Sequence, residues 1–140
     1  MRRALAALLL LSAAACAYVL PASWRSYRAD PDDAPPAITR ALDERSLTIA
    51  NWDQAKHQIV TEWTFTRTSI DAMRERYVIS WERDDDEGAL TIYCRHEAQD
   101  RELVDGAAGW TATYHSSDKE AAMLDAITEA LKDAKKPMPE

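Results

Sequence analysis

Three groups of side chains in this 140-residue chain have the right chemistry for a reactive site: the thiols Cys16 and Cys94, the pair His96-Glu97, and the acidic run Asp84 to Gly88, "DDDEG". A thiolate attacks carbonyls or binds soft metals, a histidine beside a carboxylate serves as a general base, and clustered carboxylates hold calcium. Each pattern lacks the companions that its chemistry needs. The two cysteines share no short ligand spacing with each other or with His57, His96 and His115, so no metal is expected. The acids are adjacent rather than alternating and have no distant bidentate glutamate, which fits a solvated turn. His96 has no second histidine at helical spacing, and strand alternation sets it on one face with Ile92 and Cys94, where both read as packed core groups. No G-x-S-x-G, phosphate loop or H-E-x-x-H occurs, and glycine appears only at 88, 106 and 109. The residues therefore predict a protein that is not an enzyme and carries no cofactor.

Tryptophan is the other notable resource, with five in a small domain. Trp63 and Trp81 fall in the apolar phase of strands and are expected in the core. Trp52, in a turn-rich break, and Trp110, in "GWTATY", are candidate exposed partner contacts, since tryptophan is typical of interaction hot spots.

Cys16 gains its meaning from what precedes it. Met1-Arg2-Arg3 is a positive start, Ala4 to Leu11 an apolar run, and Ser12 to Ala15 a series of small residues, the order of a secretory signal. Small residues ending at a cysteine resemble the lipobox of bacterial lipoproteins. That resemblance implies cleavage before Cys16, lipid attachment to its thiol and, with Ala17 rather than Asp next, a place at the periplasmic face of the outer membrane. Ala13-Ala14-Ala15 also satisfies the A-x-A rule for ordinary cleavage. The uncharged run from Ala4 to Ala22 approaches the ~20 residues that span a bilayer, so an uncleaved signal anchor in the inner membrane stays open as well. Removing Met1 to Ala15 takes away two arginines and no acid, moving the net charge from −7 to −9. Such a domain is expected to be repelled by nucleic-acid phosphates and by anionic lipid headgroups, and nucleic acid is not an expected partner.

The elements that must position these residues divide the chain into a signal (1–15), a lipid attachment and tether segment (16–33) and one domain (34–136). "ASWRSYRADPDDAPP" is polar and Pro-bearing, the composition of a tether; Trp24 and Tyr27 within it suit either lipid headgroups or packing on the domain. Asp32 or Asp33 is placed to cap a helix over Ala34 to Arg45, with Pro35 and Pro36 in its first turn. A short strand, Leu47 to Ala50, precedes the break "NWDQAKH". Gln58 to Thr68 then reads as one long strand with Ile59, Trp63 and Phe65 on one face. Ser69 to Arg74 fits a loop or a single helical turn. Arg76 to Arg83 and Ala89 to Glu97 form a hairpin across "DDDEG". Ser117-Asp118-Lys119-Glu120 matches a capping box, opening a helix that runs to about Ala134 before Pro137. The sum is an α+β two-layer sandwich: an antiparallel sheet of about four strands with an N-terminal and a C-terminal helix on one face.

Ala41-Leu42, Leu47-Thr48-Ile49, Trp52-Asp53 and Ile59 to Trp63 resemble the helix, strand, acidic turn and Val-Thr-Trp strand of small bacterial lipoproteins related to the C subunit of the outer-membrane β-barrel assembly machinery. The resemblance extends over Pro35 to Ala134 and implies a helix-grip module without catalytic residues. It implies a membrane-anchored accessory or scaffolding factor that works through contacts with an envelope protein. The alternative from a different class is a periplasmic domain holding a small apolar or lipid ligand between helices and sheet.

Overall fold

The computed structural model describes residues 22–84, 89–103 and 109–134, and Cys16 and most of "DDDEG" lie outside them. The fold is α+β, with two helices flanking an antiparallel sheet. The strands are β1 (Ser23–Tyr27), β2 (Ile49–Asp53), β3 (Gln58–Thr61), β4 (Thr64–Arg67), β5 (Asp71–Asp84) and β6 (Ala89–Glu102), and the helices α1 (Ala34–Asp43) and α2 (Ser117–Ala134). The sheet order is β1-β6-β5-β3-β2, with β4 also pairing with β5.

Two corrections raise the expected four strands to six. The first concerns the tether, whose residues Ser23 to Tyr27 form an edge strand paired with Leu90 to Cys94 of β6. Its polar residues pair rather than float. Tyr27 Oη and Thr128 Oγ1 are hydrogen-bonded at 3.0 Å, and Ser26 Oγ and Thr91 Oγ1 at 2.9 Å. The second concerns the long strand over Gln58 to Thr68, which is two strands. Val60 pairs with Val78 and Thr64 with Glu75, so three residues, Thr61 to Trp63, stand opposite two, Arg76 and Tyr77. This is a β-bulge, and one extra residue turns every later side chain to the other face. Ile59 stays in the core, while Trp63 and Phe65 go to the opposite side, correcting the expectation of a core Trp63. The buried Thr61 hydroxyl repairs the interrupted ladder by accepting the Tyr77 backbone N–H at 2.9 Å. Asp71 to Arg74, read as a loop or turn, simply extend β5.

The caps also differ in detail. Asp30, not Asp32 or Asp33, receives the Asp32 N–H at 2.9 Å and caps a short 3-10 turn (Pro31–Asp33) that leads into α1. Ser46, at φ 57°, closes α1, and the Leu47 N–H reaches back to the Leu42 carbonyl. At α2 the capping oxygen belongs to Ser116, which accepts the Lys119 N–H at 3.3 Å. Glu120 is thereby released from the capping box and turns inward, fully buried.

The core lies between the helices and one sheet face. Ile38 and Leu42 of α1 and Met123, Leu124 and Ile127 of α2 pack on Ile59, Ile79, Trp81, Leu90, Ile92 and Cys94. Trp81 is core, as its strand phase predicts. Ile79→Ala, at the centre of this layer, is expected to cost about 2–5 kcal/mol in urea unfolding with an unchanged denaturant slope.

Candidate functional site

Three constellations stand out, and the buried one is closed to chemistry. His96 lies under α2 with both ring nitrogens engaged: the Ser116 backbone N–H donates to Nδ1 at 3.1 Å, and Nε2 meets Glu75 Oε2 at 3.0 Å. An accepting Nδ1 fixes the tautomer with the proton on Nε2, which donates to Glu75. No lone pair is left for a substrate. Lys119 Nζ binds the same Glu75 oxygen. Burial raises the Glu75 pKa, but hydrogen bonds from Lys119 and His96 outweigh it and hold the carboxyl below its usual range. Cys94 is buried, and burial pushes its thiol up, away from the reactive thiolate. Burial, with the Glu75 charge, likewise pushes Tyr77 up to about 12. Beside this cluster His115 Nδ1 donates to Glu120 Oε1 at 2.8 Å, and the Ser23 backbone N–H reaches Glu120 Oε2 at 3.4 Å.

The second constellation is at the β2 edge. Trp52 is 43% exposed and belongs to a strand rather than a turn. Its register partner is Ile59, so it faces the helix side. There it lines an open groove of about 610 Å³ with Pro35, Pro36 and Thr39 of α1 and the charged residues Asp32, Arg40, Asp43 and Glu44. An adjoining hollow of about 230 Å³ continues past Gln54 and His57. His57 sits at φ 50°, an uncommon conformation for a non-glycine residue, and two contacts hold it there. Its ring stacks on Trp81 at 5.7 Å, and its carbonyl accepts the Trp81 N–H at 3.1 Å. Among the described residues, β2 has one unpaired edge.

The third constellation occupies the sheet face opposite the helices. The Arg74 guanidinium lies between the rings of Trp63 and Trp110, 4.4 Å from each centroid, and its Nε donates to Gln99 Oε1 at 2.8 Å. Arg76 covers the Trp63 ring at 4.4 Å and bonds Glu97 at 2.8 Å, while Arg95 bonds the other Glu97 oxygen at 3.0 Å. Phe65 tilts onto Trp110 with centroids 6.1 Å apart. Long side chains laid flat over a sheet cover apolar surface with their stems.

Of the sequence-predicted sites, Trp52 is exposed, whereas Trp110 is half-buried against Arg74; the two belong to different constellations. The arginine and aromatic stack was not foreseen. Its signal was the arginines at alternate positions 74 and 76, readable only once the bulge had set Trp63 beside them. A scan against protein-family models and a search of curated proteins return no match to this chain. Among the described residues no helix is long and apolar enough to cross a membrane.

The lowered Glu75 pKa makes a pH prediction. A carboxyl held below its unfolded value, here 4.5, contributes stability that is complete above that value and lost as the pH falls through the folded one. Between about pH 5 and 3, Glu75→Gln is expected to show a shallower fall of unfolding free energy than the parent, measured by urea titration at each pH.

Proposed function

We propose that this protein is a cell-envelope lipoprotein, held at a membrane through acylated Cys16 and acting without catalysis as an accessory or scaffolding factor. The observation that carries the reading is Trp52: a large aromatic left 43% exposed, on a strand edge unpaired among the described residues, beside the prolines that open α1. Such an edge offers main-chain hydrogen bonds to an added strand while the indole supplies an anchor. The engaged nitrogens of His96 and the buried Cys94 favour a structural over a catalytic use of the reactive side chains. The space between the layers is occupied by close-packed Ile, Leu and Met, which favours a surface contact over a ligand held inside. Attachment at the periplasmic face of the outer membrane, and kinship with lipoproteins of the β-barrel assembly machinery, belong to the same proposal.

Two measurements test it. Metabolic labelling with an alkyne palmitate analogue is expected to mark the parent and to be lost in Cys16→Ser; equal labelling of both rejects the lipoprotein. A photoreactive residue at Asn51, exposed beside Trp52, is expected to trap one discrete protein in intact cells, with the adduct reduced about tenfold or more by Trp52→Ala. An adduct indifferent to Trp52→Ala rejects this edge as the contact.

A further inference from the structure

The net charge of the chain conceals a division across the sheet. From the Asp71–Glu102 pair to the Val78–Arg95 pair, β4, β5 and β6 set Arg67, Arg74, Arg76, Arg95 and Arg101 on the face away from the helices with Glu97 as their one acid, and Glu82, bonded by Tyr93, follows beyond that stretch. Over the same stretch the helix side carries Asp71, Glu75, Asp100 and Glu102 and no arginine. An acidic protein thus presents one strongly cationic, aromatic surface, with Trp63, Phe65 and Trp110 set among the guanidinium groups.

The path of the chain gives this surface a neighbour. Ser23 pairs with Cys94 in antiparallel register, so the next residue back, Ala22, comes level with Arg95. Ala22 thus lies at the cationic end of the sheet, and six residue steps separate it from Cys16, a reach of at most about 22 Å. Trp24, on the same face as its partner Tyr93, is 62% exposed at that point.

We propose that the arginine face lies flat on an anionic phospholipid surface. The inference rests on the anchoring proposed above and names what the anchored domain rests against. Guanidinium groups pair with lipid phosphates, and indole rings suit the headgroup layer. Within the face the β4, β5 and β6 backbones are already paired with one another, so it recognises charge and rings rather than an added strand. The acids of the opposite side are kept away from the bilayer by the thickness of the sheet.

The test uses the full-length acylated chain in vesicles of phosphatidylcholine, with or without phosphatidylglycerol. An environment-sensitive dye is placed at Ser80→Cys on the arginine face or at Glu129→Cys on the outer side of α2, the native Cys94 being buried. With phosphatidylglycerol, the dye at 80 is expected to be protected from aqueous iodide about fivefold and the dye at 129 not at all. High salt and R67E/R101E, two exposed positions, are expected to abolish the protection. Gln58→Cys, the register partner of Ser80, provides a second reporter. A chain that floats with the vesicles but shows equal quenching in both lipids overturns the placement alone. An acylated chain that does not float overturns the anchoring and the placement with it. Equal protection by soluble polyglutamate in phosphatidylcholine overturns the lipid and assigns the face to an acidic protein.

Discussion

The extra residue between β3 and β4 is the constraint on which the two faces of the sheet depend. Without it, Trp63 and Phe65 would continue the phase of Ile59 and crowd the layer that α1 and α2 already fill. With it, the core receives the small Thr61 at the point of irregularity, and Thr61 supplies the acceptor that the broken ladder withholds from Tyr77. The rings sent to the other side find Arg74 and Arg76 waiting at alternate positions of β5. One inserted residue therefore decides both the content of the core and the chemistry of the uncovered face.

That face addresses a problem common to two-layer folds, whose sheets have one side without helices. Here no third layer is supplied among the described residues. Instead Arg74 is stacked between two indoles, and Arg76 and Arg95 share the carboxylate of Glu97. Val78 and Glu97 are buried on that side beneath them. The same side chains that shelter the sheet keep their charged heads at its surface, so a structural cover and a cationic surface are one object.

Much of the architecture was legible because apolar periodicity and capping residues state it locally. α2 runs over the span its stripe and flanking residues predict, and the β5–β6 hairpin lies where two alternating segments flank an acidic turn. The remainder is determined by distant partners. "SWRSY" has the composition of a linker, yet Arg25 pairs with Asp125 and Tyr27 with Thr128, a hundred residues away. The Gln58 to Thr68 segment alternates as one strand, and only its register against β5 reveals the bulge. Trp52 is exposed on a strand edge rather than in a turn, and the environment of Trp110 is set by Arg74, 36 positions earlier.

Glu120 gives the domain a mechanical property. Its carboxylate, fully buried in the first turns of α2, receives the backbone N–H of Ser23, the first residue of β1. Tension on the chain ahead of Ala22 therefore does not meet a free strand end. It meets a clamp to the last helix and then five residue pairs with β6 loaded along their length. Such an arrangement resists in shear, all pairs at once, where a strand peeled from one end would yield pair by pair. The edge strand that opens the domain is a strain relief for everything behind it.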